Sequence, residues 1–521
     1  MTTSASAWSP LRHPVFRMLW IAGTASYVGT WMQDVATAWV LTAMTTAPLV
    51  VALLTAATSA PLFLFGLVAG AAGDVVDRRV YLVVAHSWLV VTSGGLALIT
   101  ALGAATPAVL IAFAALTGIG LAMIGPVWDA TVPHTVASPD VPAAIALGSI
   151  AVNLARSLGP TLGGLVIALA GPWLVFVVNA SVAAGVVVVV LRWRPPARDA
   201  TSPSEPLRDA TATGLRYVRH APAFRAVLVR AALFIFFGSA LWSLLPVVGH
   251  ALRLDAVRYG GLVGAAGVAG VATALALPRL RARTSADVRM ALGAAGFAAA
   301  ALALSALRSP ALAYAGMIVG GAGWLTAMNV LNVASQRSAA PWVRARALAV
   351  FAIVFQGAST VGAVVWGTLA QALGVGVSLQ VAATGLVAGI AAAVRYPLAA
   401  ADGLDLTPAR HWPSPMLIAD PAAPDAPVQV TVEYRVSPEH AEAFIGDARA
   451  LETIRRRDGA VSWTLRPGGI GAFLEEFVVP SWAAHLRQHE RVTVTDRVLE
   501  ARVRAWHVGD APIVVRHRPV T

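Results

Sequence analysis

Two ionisable side chains stand inside long apolar runs of this sequence: Asp34, in Trp31-Met32-Gln33-Asp34, and Arg156, in Asn153-Leu154-Ala155-Arg156. A charge at membrane depth is costly and normally faces an internal cavity rather than hydrocarbon. A carboxylate held there can take up and release a proton. A guanidinium there can hold that carboxylate or anchor an anionic compound. Asp34 is therefore the candidate proton-coupling group, with Arg156 as its partner or as a substrate anchor. The plainer reading is a fixed structural ion pair, or an Asp34 nearer the surface. Gln33, Asn153, Asn179, Trp242, Asn329, Asn332 and Gln356 could line the same cavity. Each taken singly also fits ordinary helix–helix bonding, worth about 0.6 kcal/mol.

The elements that must position these groups are apolar helices. The chain has 521 residues, 57% hydrophobic and 12% charged, with a mean hydropathy of +0.71. Soluble domains carry roughly 25% charged residues, so a soluble enzyme and a disordered chain are both excluded for most of the length. Apolar runs of about 20 residues suit bilayer-spanning helices, whose backbone groups must bond internally. The runs read as spans at about 17–42, 48–70, 80–102, 107–127, 142–168 and 173–192, then 224–249, 257–279, 287–307, 310–332, 346–371 and 376–395. Twelve spans in two sets of six follow, with a Pro-rich, charged linker at 193–222. The expected domains are 1–192, the linker, 223–396, a second linker at 397–426, and a soluble tail at 427–518. Nothing at the N-terminus reads as a cleavable signal.

Charge orients the array. There is no lysine, so the net +12 rests on arginine. Residues 1–396 carry a balance of +14 and residues 397–521 one of −2. Arginines gather on alternate loops, at Arg12 and Arg17, Arg78 and Arg79, Arg192 to Arg219, Arg279 to Arg283, and Arg337 to Arg346. By the positive-inside rule that side is cytoplasmic, with both termini. Basic charge so placed points to membrane topology and against nucleic acid. The composition, rich in alanine and without lysine, suggests a GC-rich bacterial source and hence its cytoplasmic membrane. Cysteine is absent, which excludes disulfides, thiolate metal sites and a cysteine nucleophile. No P-loop is present, so direct coupling to ATP is not expected. No cofactor or metal is called for.

Two short motifs carry a resemblance. Gly70-Ala-Ala-Gly-Asp74-Val-Val-Asp77-Arg78-Arg79 follows the second span, and Gly159-Pro160-Thr-Leu-Gly163-Gly164 lies in the fifth. The first resembles the signature loop of the major facilitator superfamily, although Asp77 stands where that loop usually has glycine and Val75 where it has a basic residue. The second resembles the superfamily's antiporter motif. Longer stretches, TVPHTVASPDVPAAIALGSIAVNLARSLGPTLGG, APWVRARALAVFAIVFQGAS and SWAAHLRQHERVTVTDRVLEARVRA, are similar to the branch of the enterobactin exporter. The resemblance implies a twelve-helix transporter fold, a gating latch at Gly70, Asp74, Asp77, Arg78 and Arg79, tight packing at the glycines, and export rather than import. A purely topogenic loop and plain small-residue packing are the alternatives. Trp128, Asp129 and His134 fall near the cytoplasmic end of the fourth span as interface residues.

The tail changes period. PVQVTVEYRV alternates apolar and polar residues, a strand signal, and Ser437-Pro438 opens a helix. Strands AVSWTLR and AFLEEFVVP follow, joined at Pro467-Gly468-Gly469; then a helix from Ser481 to about Trp506 and a strand PIVVRH. The order βαββαβ predicts a ferredoxin-like domain, which also resembles antibiotic-biosynthesis-monooxygenase domains. Trp463, Phe473, His485 and His489 could line a pocket there, and the two histidines could hold a metal but lack a third ligand. The bland reading is a solvated or interface face.

The sequence thus predicts a secondary exporter of a small hydrophobic or anionic compound, siderophore- or drug-like, by proton antiport. Its partners would be the substrate, protons, lipid, and a second copy through the tail. An importer on the same fold, or a transporter fused to a monooxygenase-like or ligand-sensing tail, are the alternatives.

Overall fold

The computed structural model describes residues 8–131, 134–193, 207–306, 309–409, 412, 426–469 and 471–520, with 67, 70–75, 129 and 207–211 described by backbone alone. Much of the two expected linkers, at 194–206 and 413–425, and the side chains of Asp74 and Asp129 lie outside this description. The chain forms two compact units.

The first unit comprises Met1–Pro203, Val229–Leu331 and Ala352–Arg395. Its helices are α1 (Pro14–Met44), α2 (Pro48–Val75), α3 (Arg78–Ala101), α4 (Pro107–Thr131), α5 (Val141–Ala170) and α6 (Pro172–Arg192), and, beyond a short α7 (Leu207–His220) of the second unit, α8 (Pro222–Ala251), α9 (Ala256–Arg283), α10 (Ala286–Ser305), α11 (Pro310–Arg337), α12 (Arg344–Leu373) and α13 (Val375–Ile390). Proline opens many of them, at the position where its missing N–H costs nothing. Eleven helices among the described residues are long and apolar enough to cross a membrane. The remaining long helix is α1, diluted by Arg17, Gln33, Asp34 and several Ser and Thr. It packs against α5 and α6 as an integral part of the unit. The architecture is thus the multi-pass helical one expected.

The second unit comprises Ser204–Leu228, Asn332–Phe351 and Tyr396–Thr521. Its tail runs β1 (Val428–Arg435), α14 (Ala441–Asp458), β2 (Ser462–Gly469), β3 (Ala472–Val479), α15 (Trp482–Arg491), α16 (Val494–Arg504) and β4 (Val514–Pro519). The strands form one antiparallel sheet in the order β2-β3-β1-β4. Strand β1 alternates buried and half-buried residues, and Val430, Tyr434, Phe444, Leu451, Phe477 and Val503 build the core. Pro467 and Gly469 belong to β2, at a register shift, rather than to a turn. The single helix expected over 481–506 is two helices, because Thr493 forms a reciprocal capping box with Asp496 and starts a new helix.

A charged network lies within this core. Arg455 donates to Glu475 at 3.0 Å and to Glu500 at 2.6 Å. Glu475 also accepts from the Tyr434 hydroxyl and from Trp463. Arg457 bridges Asp458 and Asp496. Burial works against the charge on Arg455, but Glu475 and Glu500 overcome it and raise its proton affinity. Each ion keeps its partners, which is the condition for tolerating it inside.

Candidate functional site

A cavity of about 270 Å³ opens in the first unit between the two helical halves. Trp31, Gln33, Asp34 and Thr37 of α1, Thr55, Thr58 and Ser59 of α2, Trp242 and Ser243 of α8, and Tyr259 of α9 line it. Asp34 is exposed to this space. Tyr259 stacks on Trp39 at 6.2 Å between ring centres, so α1 and α9 meet beside the carboxylate. The threonines and Tyr259 were not singled out from the sequence. A phenol or threonine hydroxyl in an apolar run is common, and only the fold brings them together.

Arg156 is placed close by but separately. Its guanidinium lies 5.5 Å from the centre of the Trp31 ring, a cation–π approach. Its Nε is buried without a hydrogen-bond partner among the described residues. Among the described residues no ion pair joins Arg156 to Asp34, so the expected pairing is absent and Trp31 stands next to both. Asp34 follows Trp31 by three residues along α1, while Arg156 reaches the Trp31 ring from α5.

The glycines of the fifth span explain how α5 comes so near. A Cβ at Gly159 would meet the Trp31 Cβ at 2.5 Å, and one at Gly163 would meet the Met32 Cα at 3.1 Å. On its other side α5 crosses into the second half. A Cβ at Gly164 would stand 3.2 Å from the Gly260 Cα, and a Cβ at Gly267 would fall 2.6 Å from the Ser157 Cα. Pro160 has no N–H to give the Arg156 carbonyl four residues back. That carbonyl faces Gly267 instead, where an added Cβ would stand 2.8 Å away. The same closeness recurs between α2 and α12, where the Ser59 and Thr360 hydroxyls are 2.8 Å apart. A Cβ at Gly367 of α12 would meet Ala52 of α2 at 2.6 Å.

The other polar candidates divide. Gln33 accepts from Ser93 and Asn179, each at 2.8 Å, and donates to Thr117 at 3.2 Å. This buried network ties α1, α3, α4 and α6, so Asn179 is helix glue, while Gln33 also touches the cavity. Asn153 bonds its own helix at Ser149. Asn329 accepts from Arg281 at 2.6 Å. Asn332 and Gln356 contribute backbone carbonyls to Ser335 and Thr360. Trp242 lines the cavity, its Nε1 buried without a hydrogen-bond partner among the described residues, in an aromatic cluster with Phe297 and Trp324.

In the signature loop Asp77 caps α3, accepting from the Val80 amide at 3.0 Å. Arg78 points to the Ala130 carbonyl at 3.4 Å, and Arg79 bonds the Leu191 carbonyl. The paired arginines thus reach the ends of α4 and α6, where cations suit the helix dipole. Gly70 and Asp74 fall within α2. Trp128 packs tightly against Gly23 and beside His86, and His134 is exposed.

In the tail, Trp463 and Phe473 pack on the sheet core. His485 is buried rather than solvated, with Nε2 at 3.0 Å from His517 Nε2 and 3.3 Å from His489 Nε2. Burial, then the neighbouring His489 and His517, push its proton affinity down to about 3. Among the described residues no group of three or more histidine and acidic side chains is placed to hold a metal ion.

The sequence model of a family described as transmembrane secretion effector matches residues 5–520. No curated protein is matched. Among solved structures, the nucleoside transporter NupG, as a point mutant, superposes with a TM-score of 0.59 at 14% identity, covering 74% of this chain and 100% of its own. A bacterial homologue of the human lysosomal transporter Spinster, inward-facing and unoccupied, gives 0.57 at 16%, covering 75% and 96%. A bacterial homologue of the iron transporter ferroportin, inward-facing, gives 0.57 at 16%, covering 74% and 98%. At such identities these likenesses speak to the fold alone.

Proposed function

Since the chain belongs to the transmembrane secretion effector family, we propose that this multi-pass membrane transporter exports a small hydrophobic or anionic compound, siderophore- or drug-like, by proton-coupled alternating access. The observation that carries this reading is the cavity between the halves with Asp34 open to it. Aromatic walls at Trp31, Trp242 and Tyr259 suit an apolar body, and Arg156 behind Trp31 suits a negative charge. Coupling requires that substrate binding and protonation of Asp34 change each other's affinity or bias the two access states differently.

Orientation follows from loop arginines, with the α2–α3 loop and both termini in the cytoplasm of a bacterial cell. On that orientation the backbone approaches at Gly164 and Gly367 lie toward the outer ends of their helices, and the state is closed outside. The latch residues Asp77, Arg78 and Arg79 hold α3, α4 and α6 on the inner side. The tail sheet, whose β4 is largely exposed, offers a surface for self-association.

The test is proton flux in proteoliposomes carrying an inside-acid gradient, on addition of siderophores and lipophilic drugs. Wild type is expected to show substrate-dependent flux that Asp34→Asn loses. Flux that survives the substitution removes Asp34 as the coupling group. Accumulation of substrate on the cytoplasmic side would make the protein an importer.

A further inference from the structure

We propose that the cavity beside Asp34 takes an organic cation, an apolar compound that carries a protonated amine. The proposal rests on the transporter reading above and narrows its substrate. Among the described residues that line the cavity, Asp34 bears the single charge, and none is basic. Its carboxylate is exposed to the cavity and makes no hydrogen bond or ion pair among the described residues. Arg156 is not a lining residue, and its guanidinium stays against the Trp31 ring.

The uncharged polar groups point the same way. The Thr37 hydroxyl donates to the Gln33 carbonyl at 2.8 Å, and that of Thr58 to the Leu54 carbonyl at 3.0 Å. Each proton is spent one turn back on its own helix, which leaves the oxygen lone pairs. Gln33 gives an N–H to Thr117 at 3.2 Å. The Trp242 Nε1 is a donor but is itself buried. Tyr259 can donate or accept. The polar wall therefore presents mainly acceptors. An anion would meet a carboxylate and lone pairs with no basic side chain beside it. A neutral apolar body would strip water from the carboxylate and leave it unpaired. An ammonium brings a positive charge and N–H donors. Arg156 already lies on Trp31, so the aromatic walls left to the ammonium are Trp242 and Tyr259, and aromatic faces attract cations. Ammonium binding and protonation then oppose each other at Asp34, which is a mutual change of affinity.

The test is titration calorimetry on the full-length protein in detergent with three compounds that share an indole ring: tryptamine, a cation; indole-3-propionate, an anion; and 3-ethylindole, uncharged. Tryptamine is expected to bind wild type about tenfold or more tighter than either of the others, and Asp34→Asn to lose that margin. Tighter binding of the propionate, equal binding of all three, or no binding of tryptamine overturns the proposal, as does a margin that Asp34→Asn keeps. Should Asp34→Asn fail to fold, wild type supplies a second readout. Tryptamine should protect Asp34 from a hydrophobic carbodiimide, followed by peptide mass spectrometry, and failure to protect overturns the proposal. The proton-flux experiment is separate. Flux driven by an anionic compound, with no preference for tryptamine, would leave the exporter reading and remove this one; tryptamine binding at Asp34 without flux would do the reverse.

Discussion

At the residue scale, Asp34 opens on the cavity of the helical unit and Arg156 stacks on Trp31 beside it. Asp34 and Arg156 are legible in the sequence because a charge in an apolar run has few innocent explanations. Their separation is not legible, because it depends on which face of α5 meets α1. Trp31 touches both the cavity and Arg156. If Arg156 anchors substrate, Arg156→Gln should weaken substrate binding while leaving the proton affinity of the empty carrier at Asp34 unchanged; equal loss of both in binding and proton-release assays would show the two act as one. His485 yields a sharper expectation. It is neutral in the folded tail down to about pH 3, whereas an unfolded histidine takes its proton near 6.5. The unfolded state therefore binds more protons as pH falls through 6.5, and stability declines from there until the folded group itself titrates. The loss is about 2 kcal/mol between pH 6.5 and about pH 5. Hydrogen exchange of β1 and β4 in the full chain should show it, and His485→Gln should flatten the dependence.

At the scale of elements, periodicity located nearly every helix, since apolar runs and proline starts are local signals. The split of the last tail helix was less legible. Thr493 and Asp496 make a capping box only once α15 has ended at Arg491, and either residue is also tolerated inside a helix. The buried network of Arg455, Glu475 and Glu500 was invisible for a related reason: its members lie on α14, β3 and α16, and solvated charges look the same in sequence. The glycines of α5 were legible as packing residues, but their counterparts at Gly260 and Gly267 of α9 were not, because an alanine- and glycine-rich run fits many faces. Their pairing makes a prediction. Gly267→Leu should overpack the crossing of α5 and α9 at a cost of about 1–3 kcal/mol. Applied to one access state, that shifts the equilibrium by about tenfold or more. Distances between spin labels on α5 and α9 should lengthen, and transport should fall, with the helical content unchanged. A smaller effect is expected from Asp77→Ala, which removes the cap of α3 for about 1 kcal/mol and should appear as earlier thermal unfolding.

At the scale of the molecule, transport by rocking requires that the contacts between the halves break once in every cycle. Two crossings hold the halves at the same end: α5 on α9 near Gly164, and α2 on α12 from Gly367 to Thr360. The second supplies a direct trial. The Ser59 and Thr360 hydroxyls are 2.8 Å apart, so their side chains already point at one another across the interface, which is the arrangement a disulfide needs. The chain contains no cysteine, and Ser59→Cys/Thr360→Cys would carry the only two thiols. Oxidation should then fix α2 to α12 and stop transport, and reduction should restore it, while the transport rate of either single substitution does not respond to oxidant or reductant. A carrier that still turns over when the bond is complete, as judged by the absence of free thiol, would not move by parting these helices. The same locked protein separates binding from movement: substrate should still reach the cavity beside Asp34 from the open side and be retained there. Binding without turnover in the oxidised form and turnover on reduction would tie the cavity and the crossing to one cycle.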